Sequence, residues 1–460
     1  MALVKALDGR AALASAEAEL EARTRASGAA FEAARRVLPG GVTSNIRYAA
    51  PHPLFVREAR GGTVWDLDGN RYVDCRLGFG PVMVGHSPEW ITTAVSRALM
   101  AGTVYALPHA GEAELAEKVV AAVPGAEMVT FCSSGSEATL HALRLARAAT
   151  GRTKIAKFEG GYHGVHDTVM VSVQFRPEAA GPVERPVGTP DSPGIPAETV
   201  ANTLVLPYNH EAAFELIAGH AHELAAVIVE PVQGAAGCIP PAPGFLERLR
   251  AETRRHGIVL VFDEVITGFR LALGGAQEHF GVRADLATFG KILGGGFPFG
   301  AVAGSRDLVQ LFSVPEARAA GRPPVAYGGT FNGNPASVAA GNATLDFLRE
   351  HPGVYAELHD KGDRIRREVR AAAAVRGIPL TALGLGSIFS FRFVAGPVRS
   401  IRDLAPEDPG LREALFLRLL SRGVLGHTHH SFLCAAHSDG DIKRVVEGYH
   451  QALDAIVASG

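Results

Sequence analysis

The chain is 460 residues long, with 45 Lys plus Arg against 47 Asp plus Glu and a formal charge of −2. That near-balance offers neither a basic surface for nucleic acid nor an acidic tail, and 47% hydrophobic with 20% charged residues excludes wholesale disorder. At this length a two-lobed α/β enzyme is expected rather than one small domain.

Cys75, Cys132, Cys238 and Cys434 lie far apart and form no CxxC pair, so they build neither a disulfide framework nor a zinc knuckle. The N-terminal apolar residues are interrupted by Lys5, Asp8 and Arg10, unlike a signal peptide. No uncharged run reaches the ~18–20 residues that span a bilayer. A cytoplasmic enzyme with no membrane contact is the expectation.

Residues 11–38, rich in Ala, Glu and Arg, read as a peripheral helix ending at Pro39-Gly40-Gly41. Thr63-Val64-Trp65 and Arg71-Tyr72-Val73-Asp74 flank Asp68-Gly69-Asn70 as a hairpin. From about residue 110, apolar strands alternate with helices: 128–132, 155–158, 226–229, 258–262, 286–289 and 301–303, with helices at 138–149 and 245–255. Alternation of this kind predicts a mostly parallel sheet covered on both faces, with its chemistry at the carboxyl ends of the strands. Residues 174–200 and 314–329, rich in Gly and Pro, read as loops. After about 335 come a long helix, a strand near 388–393 and a terminal helix from Asp439. The expected division is a segment 1–75 joining the small lobe, a large sheet domain 76–335 and a small α+β domain 336–460.

Four features sit where such a sheet places a site. Ser133-Ser134-Gly135-Ser136-Glu137-Ala138 follows a strand and opens a helix, so its small residues and free N–H groups suit an anion; an ordinary helix cap is the alternative. Asp263 ends an apolar strand, where a buried carboxylate needs a partner. A protonated ring nitrogen would serve, as would a helix cap or Arg270. Lys291 stands among Phe289-Gly290 and Ile292-Leu293-Gly294, where burial would lower its pKa and make the amine nucleophilic. A nucleotide P-loop fails there, because Asp285 and Ile292 occupy positions that require Gly and Ser or Thr. Tyr162-His163 follows Gly160-Gly161 after a strand, and an aromatic there suits stacking on a flat ring, with core packing as the alternative. Anion cradle, stacking ring, acid for a ring nitrogen and amine for an aldehyde together match pyridoxal 5′-phosphate.

On these residues the chain resembles the class III pyridoxal-phosphate-dependent aminotransferases of fold type I, particularly their glutamate-1-semialdehyde 2,1-aminomutase branch. The likeness runs from about Leu38 to near the C-terminus. It is carried by LPGGV (38–42), GFGPVMVGHSP (78–88), SSGSEAT (133–139), KFEGGYHG (157–164), VIVEPVQG (227–234), VFDEVITGFRLALGGAQ (261–277), FGKILGGGFPFGAVAG (289–304) and GGTFNGNP (328–335). The resemblance implies that Lys291 bonds the cofactor aldehyde and shuttles the proton. It implies that Asp263 holds the ring nitrogen and that Ser134, Gly135 and Ser136 hold the phosphate. Tyr162 and Val265 would flank the ring, with Gln233 near its phenolic oxygen and Glu230 in the same motif. Thr330 would reach the phosphate of a neighbouring subunit, making the site a homodimer product, and Arg47 would meet a substrate carboxylate. A surface ion pair is the alternative for Arg47.

The chain also departs from the aminomutase pattern. Gln233 replaces a small residue, and Ala235-Ala236 replaces an Asn-Met pair. Ahead of Ala436-His437-Ser438, a shortened stretch carries His427, His429 and His430, with His429 roughly where a glutamate is expected. This cluster invites a metal, but no carboxylate or Cys lies nearby in sequence, and a substrate-pocket wall able to donate hydrogen bonds or become cationic is the expectation. The departures favour amino transfer between a carboxylate-bearing β- or ω-amino acid and a 2-oxo acid. Glutamate-1-semialdehyde 2,1-aminomutase activity is the alternative, and a non-catalytic cofactor-binding protein a third.

Overall fold

The computed structural model describes residues 7–459, so Lys5 of the N-terminal reading lies outside the described residues. Its centre is a seven-stranded sheet. The spatial order is Met128–Cys132, Gly300–Gly304, Leu286–Phe289, Val259–Asp263, Leu224–Val229, Lys154–Phe158 and Thr203–Leu206. Only Gly300–Gly304 runs against the others, pairing antiparallel on both sides. The remaining pairings are parallel, as the alternation of strands and helices requires.

Every residue of Leu224–Val229 and of Val259–Asp263 is buried, because helices cover both faces. On one face, Ala138, Ala142 and Leu145 of the helix Gly135–Thr150 pack on Ile155, Ile228 and Val261. On the other, Phe245, Leu246 and Leu249 of Phe245–Arg255 pack on Leu206, Leu260 and Phe262. The edge strand Thr203–Leu206 was not expected. At four residues, beside the Pro/Gly-rich excursion, it has too little pattern to stand out.

The N-terminal helix is two helices, Gly9–Arg23 and Arg25–Ala34, broken at Thr24. There the hydroxyl donates back to the Leu20 carbonyl and contacts His52, competing with helix continuation. Gly9–Arg23 packs along Pro409–Ser421, where Glu19 pairs with both Arg418 and Arg422. The hairpin forms as expected and gains Val56–Arg60 on one edge and, in parallel, Val424–Leu425 on the other. The long helix after 335 is likewise two, Pro335–Glu350 and Gly353–Val375, divided at His351-Pro352, where proline removes an N–H. Thr381–Leu383, Ile388–Arg392 and Ser431–Phe432 form a three-stranded antiparallel sheet beside them.

Two ion pairs fix this C-terminal region. Arg392 lies on Glu407 through a buried contact of 2.6 Å. Arg402 grips Glu159 through two nitrogens at 2.6 and 2.9 Å, joining the Ile401–Leu404 turn to the carboxyl end of Lys154–Phe158. A bidentate, largely buried pair of this kind holds geometry better than a surface contact. The loop that carries Tyr162 starts at that strand end.

Candidate active site

The carboxyl ends of the strands bring the expected residues together. Asp263 ends Val259–Asp263 with its side chain only 3% exposed. One oxygen accepts from the Val265 N–H at 3.1 Å and from the Thr288 hydroxyl at 3.3 Å. The other takes the His163 Nδ1–H at 2.7 Å, and His163 Nε2 is buried without a partner. Burial drives the imidazole towards neutrality against the pull of Asp263. Arg270 does not serve Asp263; it donates instead to the Gly80 carbonyl and Ser387. A carboxylate offers about four acceptor positions, so Asp263, holding three donors, has room for one more.

Ser134 caps Gly135–Thr150, its hydroxyl accepting from the Glu137 N–H at 3.2 Å. The capping reading is therefore correct, and it leaves the first-turn N–H groups of Gly135 and Ser136 without intrahelical carbonyls, as an anion site requires. A Cβ on Gly135 would lie 3.0 Å from the Val265 methyls, and one on Gly290 would lie 3.4 Å from Val265 and 3.5 Å from Gly135. Cradle, Val265 and the residue before the lysine thus share one enclosure. Gly164, with φ of 107°, brings the Tyr162 loop so near Ser136 that a Cβ there would meet its hydroxyl at 2.6 Å.

Lys291 follows Leu286–Phe289 in a left-handed backbone conformation, φ 42°. Its ammonium makes no hydrogen bond or ion pair among the described residues. Burial pushes its pKa down to about 8, against the opposing pull of Asp263 and Glu230. Glu230 accepts from the Tyr162 N–H at 2.9 Å and the Gly234 N–H at 3.0 Å. Burial and the Asp263 charge raise its carboxyl to about 8. Gln233 donates to the Glu159 carbonyl at 3.0 Å, while its other amide atom is buried and unpartnered. Since the two amide ends are assigned by hydrogen bonding alone, the free end can present donor or acceptor to a ring oxygen. The Tyr162 ring is 37% exposed, available for stacking.

The family model described as aminotransferase class-III matches residues 45–437. The chain belongs to the class III aminotransferases. It is 44% identical over 430 residues to a glutamate-1-semialdehyde 2,1-aminomutase of Methanothermobacter thermautotrophicus, covering 93% of this chain and 98% of that one. A solved omega-transaminase from Sphaerobacter thermophilus has a TM-score of 0.88 and 36% identity, with 94% and 98% of the two chains covered. A transaminase solved with pyridoxal phosphate bound has a TM-score of 0.86 and 31% identity over 95% and 99% of the chains.

Class III aminotransferases use pyridoxal phosphate, and the residues present here fit it. Asp263 has an open acceptor position, Gln233 a free amide end, Lys291 a free amine and the Gly135–Ser136 turn free N–H groups. The remaining expected residues are less gathered. Thr330 is exposed, on the loop whose Asn332 lies 3.4 Å from Ser133. Arg47 is exposed too, and it donates to the Thr43 hydroxyl at 3.0 Å instead of forming the surface ion pair considered above. His427 and His430 lie tilted against each other with 4.6 Å between ring centroids, and His427 meets the Phe79 edge at 5.4 Å. Burial pulls all three histidines below their usual range, His429 to about 4. Of the two roles expected for this wall, burial therefore favours neutral hydrogen-bonding rings over cations, and nearby Arg76 and Arg412 oppose a charge on His427.

His163 and Thr288 are the site residues that sequence reasoning left without a role. The imidazole was visible beside Tyr162, but nothing local signals that it reaches Asp263.

A pH dependence follows from Lys291. Its amine is charged below about pH 8 and neutral above, and only the neutral amine is nucleophilic. Cofactor uptake by the apo chain should accelerate about tenfold per pH unit below that value and level off above it. The rate at which the visible band appears on mixing measures this, and a pH-independent rate would refute the lowered pKa.

Proposed function

We propose that this class III aminotransferase moves an amino group on an amino acid whose carboxylate lies away from the reacting carbon. The observation that carries the reading is a half-buried Lys291 amine, without a partner among the described residues, in one enclosure with Asp263, Val265 and the Gly135 turn. Pyridoxal phosphate, when bound, supplies the aldehyde that takes up the amine and the ring that withdraws electrons.

The chain's own residues do the rest. Asp263 would hold the ring nitrogen, with His163 and Thr288 keeping its carboxylate in place. Lys291 Nζ would take the proton from the substrate carbon that bears the amine and hand it, across the shared nitrogen, to the carbon that was the cofactor's aldehyde. A pKa near 8 suits that task, since an efficient base is poised near working pH. Tyr162 and Val265 keep the ring between them, and Glu230, through the Tyr162 N–H, fixes the loop. Arg47 receives the carboxylate. A second copy of the chain completes the site by placing its Thr330 on the phosphate; the exposed apolar side chains Leu107, Tyr327 and Phe331 support such a homodimer.

The names of the curated relatives support the intramolecular form, glutamate-1-semialdehyde 2,1-aminomutase, over the intermolecular transfer favoured by the sequence departures. Intermolecular transfer from a β- or ω-amino acid to a 2-oxo acid is the second reading, supported by Gln233, the histidine wall and the likeness to an omega-transaminase. One experiment separates them. With glutamate-1-semialdehyde and no oxo acid, the intramolecular enzyme turns over many times, moving the amino group to the adjacent carbon. An enzyme needing a separate acceptor stops after about one equivalent and resumes when 2-oxoglutarate is added. Absence of reaction with glutamate-1-semialdehyde and with every β- or ω-amino acid tried would remove both readings.

A further inference from the structure

Most enclosed arginines among the described residues have an oxygen partner for at least one guanidinium nitrogen. Arg392 lies on Glu407, Arg402 on Glu159 and Arg418 on Glu19, while Arg270 is held by carbonyl and hydroxyl oxygens. Arg76 is different. It follows the strand Arg71–Asp74, and its guanidinium lies 4.9 Å above the Phe79 ring and 5.8 Å from that of Phe416. The residue is half-buried, and none of its guanidinium nitrogens has a hydrogen-bond or ion-pair partner among the described residues, the buried Nε included.

Asp74, the obvious candidate, is already occupied. One of its oxygens accepts the N–H groups of Arg76 and Leu77 at 2.8 and 2.9 Å, and the other holds His86 at 2.8 Å. A guanidinium does not escape burial by losing its proton, so its charge calls for an anion. Burial and the nearby Arg47 charge both act against the cation, which Asp74 only partly offsets.

Arg76 and Arg47 line one cavity of about 470 Å³. Among the described residues Arg47 has only the neutral Thr43 hydroxyl as partner. The other acid in the lining, Asp66, is taken up by Tyr72 and Asn70. Much of the remaining wall is apolar, including Leu38, Val42, Phe55 and Leu425. Phe79 closes one side, with its ring against His427 at 5.4 Å and His430 at 6.5 Å.

We infer that Arg76 is a specificity-determining residue that, with Arg47, clamps a substrate carboxylate in this cavity, across Phe79 and the histidine wall from Lys291. Two guanidinium forks and an apolar wall select an amino acid with a carboxylate at the far end of a short hydrocarbon chain. This rests on the proposed amino transfer at Lys291 and names its substrate class under either form of the reaction.

The test uses the holoenzyme and its Arg76→Leu, Arg76→Gln and Arg76→Lys variants. The reactive probes are 4-aminobutanoate and its neutral amide; the unreactive probe is glutarate, followed by inhibition and by the shift in Tm. Loss of charge-assisted hydrogen bonds should raise KM for the acid about 10- to 100-fold and leave the amide within about threefold. Glutarate should raise the Tm of the wild type and lose that effect in Arg76→Leu, with Arg76→Lys recovering part of it. If Arg76→Leu does not fold, Arg76→Gln carries the comparison. An equal change for acid and amide, or an undiminished glutarate effect, overturns the assignment, as does a wild type that glutarate leaves unaffected. If neither amine bleaches the visible band of the wild type, 4-aminobutanoate is not an amino donor for this enzyme, and the glutarate arm alone decides for or against Arg76.

Discussion

Replacing Lys291 by Ala is expected to lower turnover by at least about four powers of ten, near the upper limit for loss of a positioned base and with loss of the nucleophile added. No neighbour substitutes for it. Lys157, the other buried lysine close to Glu230, donates its amine to the Val171 carbonyl and is fully enclosed within its strand. The variant should keep the fold, because the Lys291 amine bonds nothing among the described residues. It should also retain affinity for the phosphate through the Gly135–Ser136 turn, so that cofactor co-purifies by reversible binding and dialyses away faster. Steady-state rates, with mass spectrometry after borohydride reduction, measure both. Covalent retention of cofactor, or turnover within tenfold of the wild type, would show that another residue carries the bond.

Asp263→Asn is expected to cost about 10²–10³-fold in kcat, the loss found when a preorganised electrostatic contact is removed from a closed site. The amide matches the carboxylate in shape but has one acceptor oxygen, so it keeps either the Val265 and Thr288 donors or the His163 Nδ1–H, and the charge facing the ring nitrogen is lost. His163→Ala should do less, since the imidazole acts through Asp263 and the remaining Val265 and Thr288 contacts hold the carboxylate. The pair of variants thus separates charge from positioning. The position of the visible band should move in Asp263→Asn and stay nearly fixed in His163→Ala. Equal losses with no spectral change would mean that Asp263 only supports the strand end.

Legibility in the sequence followed burial. The runs at 226–229, 258–262 and 286–289 declared themselves because strands buried on both faces are apolar along most of their length. Lys291, Asp263 and the Ser134–Ser136 turn declared themselves because polar groups at the ends of such runs need a reason. The four-residue edge strand Thr203–Leu206 and the breaks at Thr24 and His351-Pro352 were hidden, since each depends on contacts or turn chemistry too local to disturb the hydrophobic pattern. Pairing across long separations was hidden too. His163 and Asp263 are 100 residues apart, and only the sheet makes them neighbours. Arg76 drew no notice in the sequence, since its lack of a partner shows only once Asp74 is seen to be committed to His86 and the backbone. The charge state of the histidine wall is a property of enclosure, which composition does not record.

The left-handed backbone at Lys291 has an evolutionary corollary. A lysine held at φ 42° stores on the order of 1–3 kcal/mol that glycine at the same position would release. Thermal endurance and amine chemistry therefore pull this codon in opposite directions. Laboratory selection of the chain for heat resistance alone would enrich changes at position 291 that make sturdier but inert molecules. A selection that retains lysine there must find its added stability elsewhere, in capping, surface charge or the small lobe.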